Sequence, residues 1–208
     1  MFKTTLIAMT ILACASLAAA QSDDYKKFEL FAGYSHMRVN SSIAEDQILE
    51  EPERFHGFNT SFTGNVSRYV GFKFDYSAHF DNRTIGFGPI TNGVKLDSRL
   101  HSFLGGVQIK DNSPDKTFKP FVHALVGAAH LRTSLNISNE VCIAIAPSPC
   151  TPEFTEKETG FAGAFGGGID IRVSRRVDVR VIQVDYNPTR LFDSTQHNVR
   201  FGVGLVFH

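Results

Sequence analysis

Between Val70 and Phe80, large apolar residues alternate with small or polar ones: Val70, Phe72, Phe74, Tyr76, Ala78 and Phe80 against Gly71, Lys73, Asp75, Ser77 and His79. A period of two sends successive side chains to opposite faces of a strand, so one face here is aromatic and the other polar and charged. The division recurs along the chain. Phe28 to Val39 sets Phe28, Leu30, Ala32 and Tyr34 against Glu29, Gly33 and Ser35, with Phe31 breaking the polarity of the second face. Phe55 to Asn65 sets Phe58, Thr60 and Phe62 against Asn59, Ser61, Thr63 and Asn65, and Leu100 to Lys110 collects Phe103, Val107 and Ile109 on its apolar face. Phe161 to Val173 opposes Phe161, Phe165, Ile169, Ile171 and Val173 to Ala162, Ala164, Gly166, Gly168, Asp170 and Arg172. The last strand opposes Val199, Phe201, Val203, Leu205 and Phe207 to Asn198, Arg200, Gly202, Gly204 and His208. Phe118 to Arg132 carries Val, Ala and Leu on both faces and fixes no facing.

In the seventh strand Val177, Val179 and Val181 set the apolar face until the phase flips to Ile182, Val184 and Tyr186. The flip predicts a β-bulge near Val181-Ile182 that keeps Asp178, Arg180, Gln183 and Asp185 on one polar face. Polar segments at Asn40 to Arg54, Asp81 to Ser98, Thr133 to Glu158 and Asn187 to Gln196 read as long loops. Ser67-Arg68, DNSPDKT and Ser174-Arg175-Arg176 read as short turns.

Long and short connections therefore alternate, as they do when eight antiparallel strands run up and down with both termini on one side. Ten residues rising about 3.3 Å each and tilted about 40° span about 25 Å, the height of the lipid-facing band of a membrane barrel. Alternation alone does not orient the faces, and a soluble lipocalin-like barrel would hold its apolar face inside. The bulky apolar face of the last strand, set against Arg, Asn and Gly, orients the apolar side outward. The expectation is an all-β, eight-stranded, antiparallel up-and-down transmembrane barrel with periplasmic N and C termini. Its lipid face includes Phe72, Phe74, Tyr76, Phe165, Ile169, Phe201, Val203, Leu205 and Phe207. A polar interior holds the charge network of Glu29, Lys73, Asp75, His79, Asp170, Arg172, Asp178, Arg180, Asp185 and Arg200.

The N-terminal residues place that barrel in an exported protein. Lys3, the apolar run Leu6 to Leu17 and Ala18-Ala19-Ala20 form a secretory signal over residues 1–20, with the barrel domain over 21–208. Ile11-Leu12-Ala13-Cys14 offers the alternative of a lipoprotein signal acylated at Cys14. Beyond Cys14 the chain has Cys142 and Cys150 in a Pro- and Ser-rich loop, a spacing suited to a disulfide staple in an oxidising compartment. Lys plus Arg equals Asp plus Glu at 21 each, which gives no net field for nucleic acid. Nineteen Phe, 17 Gly and no Trp favour β-structure with close backbone contacts.

Through GFNTSFTGNVSRYVGFKFDYSAHF and AFGGGIDIRVSRRVDVRVIQVDYNPTRL, the chain resembles the bacterial outer-membrane β-barrel family related to the N-terminal domain of outer-membrane protein A. The resemblance spans nearly the whole mature chain. It implies an eight-stranded barrel in the outer membrane, inserted by the outer-membrane assembly machinery, which recognises a final strand with a terminal aromatic. Here Phe207 is penultimate and His208 follows. No peptidoglycan-binding domain follows the barrel, so the cell-wall tethering of longer relatives is not expected.

A barrel of eight strands is just wide enough for side chains to fill it, which argues for a static polar plug over an open pore. Exchange of partners among Arg180, Asp185 and Asp170 is the route by which a small-solute path could open. An enzyme would need a nucleophile, a base and an orienting group near the rim. His79 and His197 are the best placed of the eight histidines, and neither belongs to a catalytic signature. GGGID lies within an alternating strand with no following helix, so it is not a phosphate loop. No catalytic residue, cofactor or metal site is expected. The expected role is that of a monomeric envelope structural or surface protein with lipid around it, and the long loops leave open an extracellular ligand or an adhesin role.

Overall fold

The computed structural model describes residues 25–40, 53–87, 90–137, 153–192 and 194–208. Eight antiparallel strands close into one barrel in chain order: β1 (Phe28–Asn40), β2 (Glu53–Asn65), β3 (Val70–Phe87), β4 (Ile90–Lys110), β5 (Phe118–Ile137), β6 (Glu153–Arg172), β7 (Val177–Leu191) and β8 (Ser194–Phe207). β1 pairs with both β2 and β8, so no edge strand is left open. Following Cα partners around the wall from Phe28, through Gly64, Phe72, Val107, Ala124, Phe165, Tyr186 and Val199, returns to β1 at Arg38, ten residues along. That stagger corresponds to a strand tilt of about 40°.

The exposure pattern is inverted relative to a soluble barrel. Phe72, Phe74, Phe103, Phe118, Phe161, Phe165, Phe201, Val203, Leu205 and Phe207 face outward and are exposed, Phe74 at 65%. Lys73, Asp75, Asp170, Arg180, Asp185 and Arg200 are buried inside, none above 3%. Water would penalise that outer face, whereas lipid solvates it. Closure pairs every strand on both sides, the condition for strands to cross a hydrocarbon layer.

The short turns share one local grammar. In both Val66-Ser67-Arg68 and Val173-Ser174-Arg175, the serine hydroxyl accepts from the amide three residues on, Val70 at 3.1 Å and Val177 at 3.0 Å. In both, the preceding valine donates to that same residue's carbonyl, at 2.9 Å and 3.1 Å. The expected bulge is present: Arg180 and Gln183 are both buried while Val181 and Ile182 are both exposed, and the ladder to β8 shifts between Arg180 and Gln183. β5, whose facing the sequence left open, points Lys119, Phe121, His123 and Leu125 inward and Phe118, Val122 and Val126 outward.

All four segments read as long loops contain paired strand: in Asn40 to Arg54 only the ends do, with Asn40 opposite His197 and Glu53 and Arg54 opposite Val39 and Arg38. Asp81 to Val94 continues the β3–β4 ladder, from Asp81↔Ser98 to Ile85↔Val94, with a closing pair at Phe87↔Ile90. Thr133 to Asn136 pairs with Glu156 to Glu153. Asn187 to Leu191 pairs with Asn198 to Ser194, where a loop of ten residues was expected. Only two positions then join β7 to β8, and Phe192 adopts φ 50°, the left-handed conformation that two-residue hairpins demand. These segments carry polar residues on both faces, so the alternation that marks a strand is missing although the ladder is made. The Cys142–Cys150 staple and the signal segment with Cys14 lie outside the described residues.

Candidate functional site

The lumen is the place where chemistry concentrates, and it has two tiers. Five carboxylates (Glu29, Asp75, Asp170, Asp178, Asp185) and five cations (Lys73, Lys110, Lys119, Arg180, Arg200) are buried among the described residues. Equal numbers let the interior hold charge without a net field, and pairing offsets the cost of removing each ion from water.

At the end near the short turns, Lys110 donates to Glu29 and, at 3.1 Å, to Asp170. Arg180 takes Asp170 with both arms of its fork, at 2.8 and 3.1 Å. Lys119 and His208 converge on Asp178 at 2.8 and 2.9 Å. Higher up, Arg180 donates to Gln183 at 2.7 Å and Gln183 to Asp185 at 2.7 Å. Arg200 then bridges Asp185 at 2.7 Å and Asp75 at 2.8 Å, and Asn59 adds a donor to Asp75 at 3.0 Å. Lys73 joins through His123 at 3.3 Å, with His123 2.9 Å from Asp185. A continuous chain of polar contacts thus runs from Glu29 to Asp75.

The expected inward residues converge with two exceptions. Arg172 stands half-buried at the rim and donates to the Pro114 carbonyl in the DNSPDKT turn. His79 lies above the ion pairs and shares a 2.8 Å hydrogen bond with Ser35. Ser35–His79 has the look of a nucleophile–base pair, yet both residues are fully buried and His79 Nδ1 has no hydrogen-bond partner among the described residues to orient the ring. His197 instead faces outward against the Tyr186 hydroxyl. Lys110, Lys119 and His123 are members the sequence reading missed. Strict alternation from Phe103 already assigns Lys110 inward, whereas β5 gave no such signal.

The upper tier corrects the expectation of a wholly polar interior. Met37, Val39, Phe55, Leu100, Leu104, Leu125, Ala129, Ala162, Ala164 and Leu191 form a buried apolar cluster with Leu131 against it. This cluster begins beside the upper ion pairs, where Leu104 is the cross-strand partner of Asp75 and Met37 that of Arg200, and extends toward the end bearing the long connections, sharing the upper lumen with buried His79, Ser102, Asn187, Thr189 and Asn198. Any path along the lumen meets the ion-pair network and then the apolar plug. A recess at Thr60 and Gly105, walled by Phe62, Phe74, Tyr76 and Phe103, opens on the outer wall and belongs to the lipid side.

No protein-family model matches this chain, and no curated protein matches it. Solved structures do. Ail, the attachment invasion locus protein of Yersinia pestis, aligns with a TM-score of 0.56 at 15% identity over 86% of this chain and 97% of that one. Ail in complex with the heparin analogue sucrose octasulfate gives 0.55 at 16% identity over 86% and 97%. Neisserial surface protein A gives 0.56 at 13% identity over 87% and 96%. The fold is that of the eight-stranded bacterial outer-membrane barrels.

Proposed function

We propose that this chain is a monomeric outer-membrane barrel with a closed lumen, and that it serves the envelope as a structural and surface protein through the end carrying its long connections. The observation that supports this most is the arrangement of ion pairs and apolar plug in series. Moving a solute past the first means separating buried partners, and past the second means wetting an apolar constriction. The termini and short turns then face the periplasm, and insertion falls to the outer-membrane assembly machinery. Ser35–His79 is fully buried, so it is not an accessible nucleophile–base pair.

A partner-binding role is the second reading. The β3–β4 and β5–β6 hairpins continue as paired strand past Phe80 and His130, above the apolar band, and present a rigid surface there. Ail, of like fold, has been captured with a heparin analogue, so a polyanionic extracellular ligand is one occupant to test. The discriminating experiment records current across planar bilayers holding the refolded protein. The proposal expects a silent membrane. Stepwise currents altered by Asp185→Asn would overturn the closed lumen and return solute passage to the front.

A further inference from the structure

Above the apolar band, and below exposed Lys95 on β4, the outer wall carries six exposed cations among the described residues: Arg38, Arg54, Arg99, Arg132, Lys157 and Arg190. They form a belt. Arg38 is ten residues above Phe28, Arg54 ten above Gly64 and Arg99 ten above Ile109 along their strands. At about 3.3 Å per residue and 40° of tilt, that is about 25 Å from the lower margin of the wall, the thickness of the lipid-facing band. Partner lines climb as they circle a tilted wall, which brings Arg132, Lys157 and Arg190 into the same zone.

The belt opposes like charges. Arg38 pairs directly with Arg54, and Arg99 with Arg132, which pairs with Lys157. Like charges opposite one another on neighbouring strands destabilise a sheet unless an anion lies between them. No ion pair engages Arg38, Arg54, Arg99, Arg132 or Lys157 among the described residues. Asp97, one step above Arg99 on the same face, is the acidic side chain nearest the belt along its strand.

Just below the belt, three tyrosines at the top of the apolar band reach diagonally to histidines: Tyr34 to His56 at 2.5 Å, Tyr76 to His101 at 3.0 Å and Tyr186 to His197 at 2.5 Å. With each hydroxyl donating to Nδ1, the neutral ring carries its hydrogen on Nε2, leaving three more donors at this height.

We propose that this belt binds the phosphate groups of phosphorylated lipids in the leaflet around the long-loop end, the arginines straddling headgroup phosphates and the histidines donating from below. Two features select a lipid as the source of the anion: the belt is continuous with the lipid-solvated wall, and it lies at headgroup height. Guanidinium forks match phosphate oxygens, and juxtamembrane cations hold an anionic surface. The inference rests on the reading of the barrel as membrane-embedded.

The test uses the full barrel in phosphatidylcholine vesicles doped with bisphosphorylated lipid A or with its dephosphorylated form. Protein-bound lipid is counted by native mass spectrometry after detergent extraction. The wild type should retain the phosphorylated lipid about tenfold or more over the other. Arg38→Gln/Arg54→Gln/Arg132→Gln should lose that preference, while Lys116→Gln/Arg175→Gln/Arg176→Gln, which removes equal charge at the opposite end, should keep it. Equal retention of the two lipids by the wild type, equal loss in both triple variants, or displacement by inorganic phosphate at matched phosphate concentration would overturn the proposal. The wild-type comparison decides even if a variant does not fold. Failure of the wild type to insert, seen as unchanged gel mobility without boiling, would instead strike the membrane reading itself.

Discussion

The guanidinium of Arg180 lies 4.2 Å from the centre of the Phe31 ring, in the middle of a lumen otherwise read as polar. Phe121 covers its other face at 4.1 Å. Phe31, the residue that interrupts the polar pattern of the first strand, is thus one half of a clamp that holds the cation flat while its fork takes Asp170. Phe31→Leu should lower the stability of the folded barrel by about 2 kcal/mol, the worth of a desolvated cation–π contact. Urea titration in vesicles measures it, and an unchanged midpoint would remove the clamp from the account.

Three glycines lie beside the clamp, where a Cβ would first meet a cross-strand carbonyl, of Val203 at 2.1 Å for Gly33, Ala32 at 2.4 Å for Gly204 and Ile182 at 2.2 Å for Gly168, and then a clamp ring. A Cβ at Gly33 would stand 2.7 Å from the Phe31 ring and 2.9 Å from Gly204 Cα, and one at Gly204 2.9 Å from the same ring. At Gly168 it would meet the Phe121 ring at 2.8 Å and the Ile182 carbonyl at 2.2 Å. Gly204→Ala and Gly168→Ala should therefore each destabilise by about 1–3 kcal/mol, as overpacking does. Gly64→Ala, where nothing lies within 4 Å, should be tolerated in the same titration.

Arg200 joins Asp185 to Asp75 across the barrel. Asp185 also accepts from Gln183 and faces His123, so Asp185→Ala leaves these donors unmet and the buried interior one carboxylate short, and should cost about 3–5 kcal/mol. The double variant Asp185→Ala/Arg200→Met should lose less than the sum of the two single variants, although Arg200→Met also deprives Asp75 of its cation. Additive losses in that cycle would mean that the two side chains do not share an energy.

The apolar tier makes a separate prediction. Leu104→Ser with Leu125→Ser should wet the upper lumen yet leave planar bilayers silent, because the ion-pair network still lies in series below. Currents from this variant alone would show that the plug, and not the ion pairs, is the barrier.

At the short turns, the Arg68 guanidinium beside Asp111 holds its carboxyl well below the usual carboxylate range, with the Ser113 hydroxyl and amide assisting. A carboxylate whose acidity is raised by folding stabilises the fold fully above its ordinary value, about pH 4, and loses that contribution as the pH falls toward its folded value. The pair is partly exposed, so Asp111→Asn should cost less than about 1 kcal/mol at pH 7. The difference from wild type should shrink as the pH is lowered from 5 to 2, and a difference constant over that interval would contradict the assignment.

Much of this barrel is written in its alternation. Strand count, closure order, the bulge at Val181-Ile182 and the outward set from Phe72 to Phe207 follow from period-two patterning, because lipid and lumen impose opposite solvents on adjacent residues. The upper hairpins escaped because above the lipid both faces meet water, and Asp81 to Val94 then reads as loop. Lys119 and His123 escaped because Val, Ala and Leu share both faces of β5. Met37, Leu100 and Leu104 were legible by parity as inward, but their meaning as a plug emerges only when six strands bring them together.

The most direct measurement of the central claim, lipid outside and charge inside, is the gel mobility of boiled and unboiled barrel folded into phosphatidylcholine vesicles, read across a urea series for wild type and Val203→Arg. Val203 lies mid-wall on β8 and is 47% exposed. The account predicts a distinct unboiled band for the wild type and a loss of about 2–4 kcal/mol for the arginine variant. A protein that stays soluble and folded without lipid or detergent, with Val203→Arg as stable as wild type, would contradict it.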